Sequence, residues 1–65
     1  MKTVYDSEAD ALYLRFTDAP IIESEEIRPG LVLDFDQNGK IVGVEILDAS
    51  QHLAPGTDLE RLAAA

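Results

Sequence analysis

The chain has no cysteine, a single histidine and only five lysine or arginine residues among its 65. Without cysteine it cannot form disulfides, or zinc and iron–sulfur sites held by thiolates. No basic cluster is present, and a formal net charge of −8 repels phosphate backbones, so we expect no direct binding of nucleic acid. Glycine-rich phosphate loops, zinc patterns and dinucleotide fingerprints are also missing. These absences exclude several common function classes.

Long hydrophobic runs are absent as well. No apolar stretch approaches the roughly 20 residues that a membrane-spanning helix requires. The N-terminal region turns acidic at Asp6, before a signal-peptide core has formed. We therefore expect a cytoplasmic protein with no membrane contact. An apolar fraction of 46% is ordinary for a folded domain and argues against a disordered acidic tail.

The short length limits the hydrophobic core. A single domain of this size buries only about 60% of the surface that its unfolded chain exposes, so its stability is marginal. Small domains usually compensate with disulfides, a metal or oligomerisation. Because cysteine is absent, oligomerisation or a metal bound by carboxylates remains.

Alternating apolar and polar residues predict a sheet. In residues 12–16, leucine and phenylalanine alternate with tyrosine and arginine, which is the period of a half-buried strand. A shorter strand around Val4 and Tyr5 precedes it, and either residue could face the core. Residues 21–28 form a third extended segment. Its glutamates predict an edge position, because charge discourages pairing with other sheets.

Residues 31–36 and 40–47 predict a hairpin joined at Asn38-Gly39. A two-residue turn there would pair apolar residues on one face: Phe35 with Val42, Leu33 with Val44, and Leu31 with Ile46. Asp34, Asp36 and Glu45 would lie on the other face. A three-residue loop would set Leu33 against Gly43 and mix the faces, whereas a four-residue loop would keep this pairing. The pattern selects the register and leaves the turn type open.

The sequence thus predicts an α+β fold: a small antiparallel β-meander of four to five strands with a short C-terminal helix. Residues 1–53 form the β domain, and residues 54–65 form an extension that carries the helix. Thr57 or Asp58 is the predicted N-cap, and Leu59 and Leu62 share one helix face.

So short a helix covers only part of an apolar sheet face, which must be buried against another layer. A second copy of the chain is the simplest such layer, so we expect a homodimer. The acidic surface also suits a basic protein partner. The predicted interface residues are Leu12, Leu14, Phe16, Leu33, Phe35, Val42, Val44 and Ile46.

Residues 34–45 read D-F-D-Q-N-G-K-I-V-G-V-E and match the calcium-loop pattern D-x-[DN]-x-[DN]-G-x5-E. A calcium loop needs a helix on either side. Pro29-Gly30 leaves no room for the first, and β-branched residues disfavour the second. In a hairpin, Glu45 would also lie more than about 10 Å from the loop tip. We predict a turn, with weak cation binding by Asp34, Asp36 and Asn38 as the alternative.

Other candidates for chemistry have simpler interpretations. Asp6, Glu8 and Asp10 lie together in the first connection, where paired carboxylates can hold a metal or act as acid and base. A turn in which Asp10 caps backbone groups is the favoured interpretation. Ser50 and His52 are two residues apart, with no glycine-rich elbow and no evident oxyanion hole, and do not predict a catalytic pair.

Three blocks of the chain, in order, look like one family: Y-D-S-E-A-D-A-L-Y-L (residues 5–14), G-L-V-L-D-F-D (30–36) and G-K-I-V-G-V-E-I-L-D-A-S (39–50). The chain resembles domain-of-unknown-function family 2283, the YuzE-like small prokaryotic proteins, over about residues 1–53. The resemblance implies a small α+β domain dominated by antiparallel strands, and no catalytic residues to transfer. It also implies an antitoxin-like role, because some members are thought to accompany small toxin-like proteins.

Together these observations predict a non-catalytic protein-interaction module that works as a homodimer and needs no cofactor. The alternative is a small cation-binding protein or metal-dependent enzyme that uses the acidic loops. In that case calcium, magnesium or manganese should raise the melting temperature, because a ligand that binds only the folded state stabilises it.

Overall fold

A computed structural model of the chain describes residues 1–64. It contains five strands and two short helices: β1 (Lys2–Asp6), β2 (Ala11–Arg15), β3 (Glu23–Arg28), β4 (Leu31–Phe35), β5 (Ile41–Ile46), α1 (Ala49–His52) and α2 (Leu59–Ala64). The strands form one antiparallel sheet in the order β1-β2-β5-β4-β3. The predicted α+β class, with a small antiparallel sheet and a short C-terminal helix, is confirmed.

The strand order places the most apolar strand at the centre. Successive strands are neighbours within β1–β2 and within β3–β4–β5, but β5 rather than β3 lies beside β2. Residues 16–22 therefore cross one end of the sheet and begin β3 at its far edge, as the glutamates of that segment predict. A strand bearing three glutamates would bury charge in a central position, whereas β5 provides valine and isoleucine.

The central hairpin differs from the predicted two-residue turn. Asp36 and Lys40 are bonded across a three-residue loop, in which Gly39 adopts the left-handed conformation (φ 74°). Phe35 pairs with Ile41, so its predicted pairing with Val42 is wrong. A β-bulge at Val42 adds one residue to β5, which compensates for the one-residue slip that the three-residue loop introduces.

The bulge explains why the rest of the predicted register is correct. Beyond it, Leu31 is paired with Ile46 and Leu33 with Val44, as the alternation requires. In an unbroken ladder of hydrogen bonds, a three-residue loop would mix the two faces of the sheet, and for this reason the alternation disfavours such a loop. One extra residue restores the faces at the cost of a local irregularity.

The first hairpin and the C-terminal helix follow local signals. Tyr5 packs against the core, while Val4 on the other face is 44% exposed, which settles the open register. Asp58 is the N-cap of α2, because its Oδ1 accepts a hydrogen bond from the Arg61 amide at 3.0 Å. No helix in the described residues has the length and hydrophobicity to cross a membrane.

Candidate functional site

One face of the sheet is divided into two apolar halves. The half nearer the C-terminal ends of β1 and β5 is covered by the helical segment. Its sheet residues are Tyr5, Leu12, Leu31 and Ile46, and the residues packed over them are Ala49, Leu53 and Leu59. We call this the covered half. Leu12 and Ala49 are almost completely buried, at 3% and 0% exposure, so the cover excludes water here.

Asp10 holds the helical cover in place. Its carboxylate accepts hydrogen bonds from the Ser50 hydroxyl at 2.6 Å and from the Tyr5 hydroxyl at 2.8 Å. The Ser50 amide also donates to it, and the Asp10 carbonyl accepts the Ala49 amide. These contacts tie the β1–β2 turn to the start of α1. They require Asp10 to adopt a left-handed backbone conformation (φ 52°), which aspartate tolerates better than most residues.

The same contacts shift the pKa values of the Asp10 carboxyl and the Tyr5 hydroxyl. Hydrogen bonds from Ser50 and then from Tyr5 lower the pKa of the Asp10 carboxyl below its usual value. The pKa of the Tyr5 hydroxyl is raised, chiefly because it donates to Asp10. Both shifts favour the pair as observed, a carboxylate that accepts from a neutral phenol.

Among the residues that the structure describes, none covers the other half of the face in this way. It contains Leu14, Phe16, Leu33, Phe35 and Ile41, with Val44 at its border and Val42 buried among the strands. We call it the open half. Phe16 is 45% exposed and Ile41 48%, and the remaining three are half-buried. The open half is therefore a patch of large apolar side chains in contact with water.

The overall dimensions agree with an incompletely covered sheet. The chain exposes 4598 Å², whereas a folded monomer of 7.1 kDa exposes roughly 4,100 Å². Its radius of gyration is 12.0 Å, against about 10.7 Å for a compact chain of this length. The chain therefore exposes about 500 Å² more than an average compact monomer of its size.

The opposite face carries a buried acidic cluster over Gly43. Asp34 is only 1% exposed and accepts a hydrogen bond from the Ser24 hydroxyl at 2.6 Å. No donor among the described residues reaches its second oxygen, Oδ2. A Cβ on Gly43 would lie 3.3 Å from Oδ2 and 3.2 Å from the Tyr13 hydroxyl. The glycine therefore makes room for both polar groups.

Glu45 completes this cluster. Burial raises the pKa of the Glu45 carboxyl, and the nearby charge of Asp34 raises it further. Both effects favour the protonated form of Glu45 relative to its carboxylate.

Arg15 does not neutralise this pair directly. Its guanidinium donates to the carbonyls of Thr17 at 2.8 Å and Ala19 at 2.7 Å, and to the Tyr13 hydroxyl at 3.3 Å. It thereby fixes the connection that leads from β2 to β3. Arg15 therefore has a structural role in this arrangement.

The eight predicted interface residues fall into two groups. Three are already buried within one chain and can add little surface to an interface: Leu12, Val42 and Ile46. Five retain exposure: Leu14, Phe16, Leu33, Phe35 and Val44. The sequence could not make this division, because Leu12 and Ile46 are buried under the helical segment and Val42 is buried among the strands.

The three candidate cation ligands are not brought together. Asp34 is buried against Ser24, and Asp36 Oδ1 accepts the amides of Asn38 and Lys40 at 2.8 and 2.9 Å. The Asp36 carboxylate therefore shapes the hairpin loop. Within residues 1–64, no three histidine or acidic side chains are placed to hold a metal ion.

The remaining candidates have structural contacts. Asp6 accepts the amides of Glu8 and Ala9 in the first turn. His52 Nδ1 lies 3.3 Å from the Arg28 guanidinium, and its ring packs on Gly30 so closely that a Cβ there would lie 2.6 Å from Nε2. Ser50 is engaged by Asp10, not by His52.

Sequence reasoning missed the burial of Asp34. Its alternation correctly places Asp34 and Glu45 on the face opposite the apolar residues, but gives no sign that Asp34 is buried there. The available signal was a pair of small residues, Ser24 and Gly43, on the two flanking strands. They could be recognised as neighbours of Asp34 only once the register of β3, β4 and β5 was known.

The comparisons with known proteins give one match. The family model described as "Protein of unknown function (DUF2283)" matches residues 2–50, which include all five strands and the start of α1. No curated protein and no solved structure matches the chain. Since the match spans well over half of the 65 residues and includes both halves of the sheet face, the chain belongs to the DUF2283 family of proteins of unknown function.

Proposed function

We propose that this protein is a non-catalytic interaction module that acts as a homodimer joined through the open half. The observation that carries the proposal is the contrast within one sheet face. Leucine and isoleucine are buried under the helical segment on one side, while leucine and phenylalanine stay in contact with water on the other.

The helical segment is too short to cover the open half. α1 has four residues and α2 has six, and both are used over β1 and the covered half. The open half has only five large apolar side chains, and a standard interface buries roughly 800 Å² per partner, so we expect a dimer of modest affinity. A second copy offers an identical patch, as a two-fold interface requires.

The charge of the chain opposes the dimer. Each copy carries a formal charge of −8, and the open half is bordered by Glu23 and Glu25, which pair with Phe35 and Leu33. Apolar burial must outweigh this repulsion. Because salt screens exposed charges over about 8 Å at physiological ionic strength, added salt should favour association.

Sedimentation equilibrium tests the dimer, with Phe16→Lys as the disrupting variant. Phe16 is 45% exposed, so lysine is tolerated in the monomer, but its charge would be buried in the dimer. Val4→Lys is the matched control, since Val4 is 44% exposed on the opposite face. We expect at least about tenfold weaker association for Phe16→Lys and no change for Val4→Lys. A wild-type chain that stays monomeric at about 200 µM would contradict the proposal.

A basic protein is the second partner that the charge favours, and an antitoxin-like role is a narrower form of the same proposal. It requires a basic protein whose expression alone arrests growth and whose toxicity this chain relieves. Co-expression of the two genes would measure that relief, and a partner that is not basic would argue against it.

A further inference from the structure

The two edges of the sheet differ in cover and charge. β1 is contacted by α2, and its single lysine and single aspartate balance each other. β3 pairs only with β4 in the described part of the chain, and all six of its residues are exposed. Three of these are glutamates. The one cation, Arg28, reaches across to His52 at 3.3 Å. β3 is a free and acidic edge.

The acidic side chains of β3 lie on both faces. Glu23 and Glu25 project on the face of the open half, and Glu26 on the opposite face. Exposed isoleucines flank them, with Ile22 64% and Ile27 50% exposed. A segment that binds along β3 can therefore contact an exposed isoleucine on either side of the glutamates.

We propose that the β3 edge binds a basic, extended segment of a partner protein as an added strand. A sheet edge presents unpaired backbone N–H and C=O groups, and an incoming strand satisfies them. Its lysine or arginine side chains would lie beside the glutamates of β3, where opposite charges on neighbouring strands attract.

Charge selects this occupant over a second copy of the chain. Two β3 edges placed side by side would bring like charges together, which disfavours pairing. A neutral strand would leave the glutamates without partners. A basic strand with its lysines on the face of the open half gains from Glu23 and Glu25, so the edge that excludes its own copy admits an oppositely charged segment. This proposal does not rest on the pairing of the open halves.

Amide proton–nitrogen correlation spectra test the proposal directly. The probe is a capped peptide of alternating lysine and valine. We expect chemical-shift changes concentrated at residues 22–28 and binding that weakens at least about tenfold between 50 and 300 mM salt. The Phe16→Lys variant should bind the peptide as the wild type does. Failure of the dimer and failure of this edge are therefore separate results.

Charge reversal supplies the decisive variant. The double variant Glu23→Lys with Glu25→Lys should bind the lysine–valine peptide at least about tenfold more weakly than the wild type. It should also acquire binding of a glutamate–valine peptide. Both positions are exposed, so the fold should persist. Glu8→Lys with Glu60→Lys is the control. It changes the net charge equally at exposed positions away from β3.

A peptide with proline at its central positions separates strand addition from charge attraction alone. Proline lacks the backbone donor and disrupts pairing, so this peptide should bind at least about tenfold more weakly. The proposal is overturned by shift changes outside β3, by equal binding of the proline peptide, or by an equal loss in the Glu8 and Glu60 control. Absence of any shift change at low salt overturns it as well.

Discussion

The covered half and the open half are made of the same kinds of residue and belong to the same strands. β2 contributes Leu12 to the covered half and Leu14, two residues further along the same strand, to the open half. Leu12 is 3% exposed, whereas Leu14 is half-buried. The difference lies in the helical segment above them. Hydrophobic residues on one face therefore differ in burial according to whether the helical segment covers them.

The sharpest test of this comparison is the same substitution in both halves. Leu12→Ala removes a fully buried side chain and should lower the free energy of unfolding by about 2–5 kcal/mol at any protein concentration. Leu14→Ala should cost less, and its cost should rise with protein concentration, because part of it comes from the dimer. Urea unfolding at two protein concentrations distinguishes the two variants. Equal, concentration-independent losses would contradict the division into halves.

Acid should weaken the Asp10 contacts that hold the helical cover, and it should stabilise the opposite face of the sheet at Glu45. The pKa of Asp10 is lowered in the folded state by Ser50 and Tyr5, so its contribution is present above the unfolded value near 3.8 and is lost as pH falls below it. The pKa of Glu45 is raised above 4.5 by burial and by Asp34. Its contribution is present in acid and is lost as pH rises through the folded pKa.

Urea midpoints between about pH 2 and 7 measure both contributions. Asp10→Asn should remove the loss at the acidic end of this range, and Glu45→Gln should remove the decline above pH 4.5. Wild-type profiles that match both variants throughout would show that neither carboxyl is linked to folding as the contacts indicate.

The smallest effect that we predict is the effect of salt on the dimer, and salt should act with the opposite sign at the β3 edge. Between about 50 and 300 mM salt, the dimer of open halves should tighten by a few fold, since screening reduces repulsion between two acidic chains. Binding of the basic peptide at the β3 edge should weaken over the same range. Sedimentation equilibrium measures the effect of salt on the dimer, and peptide titration measures its effect on binding at the β3 edge. A dimer that weakens with salt would point to a charged rather than an apolar interface.

Local patterns accounted for most of the fold. The alternation in residues 12–16 and 31–36 predicted the strands, the glutamates of β3 predicted its edge position, and the choice of Thr57 or Asp58 as N-cap placed the start of α2, where the structure selects Asp58. The pairing of Leu31 with Ile46 and of Leu33 with Val44 followed from the need to keep one face apolar. The candidate interface was predicted as one surface, and the structure buries three of its eight residues.

Three features depended on contacts that no local pattern contains. The bulge at Val42 reconciles a three-residue loop with the apolar register, and a sequence does not reveal where a ladder breaks. Asp10 meets Ser50 across 40 positions. The Asp34 carboxylate fits between its flanking strands because the residues paired with it there, Ser24 and Gly43, are both small.

The amino-acid sequence by itself determined which residues alternate, which strand could not be central and which side chains had to leave water. These depend on near neighbours and on the period of a strand. Only the tertiary structure decided that β5 lies beside β2, that the helical segment covers one half of the apolar face, and that β3 is left free. Such choices arise when distant segments compete for the same surface, and a sequence read along the chain does not contain the result of that competition.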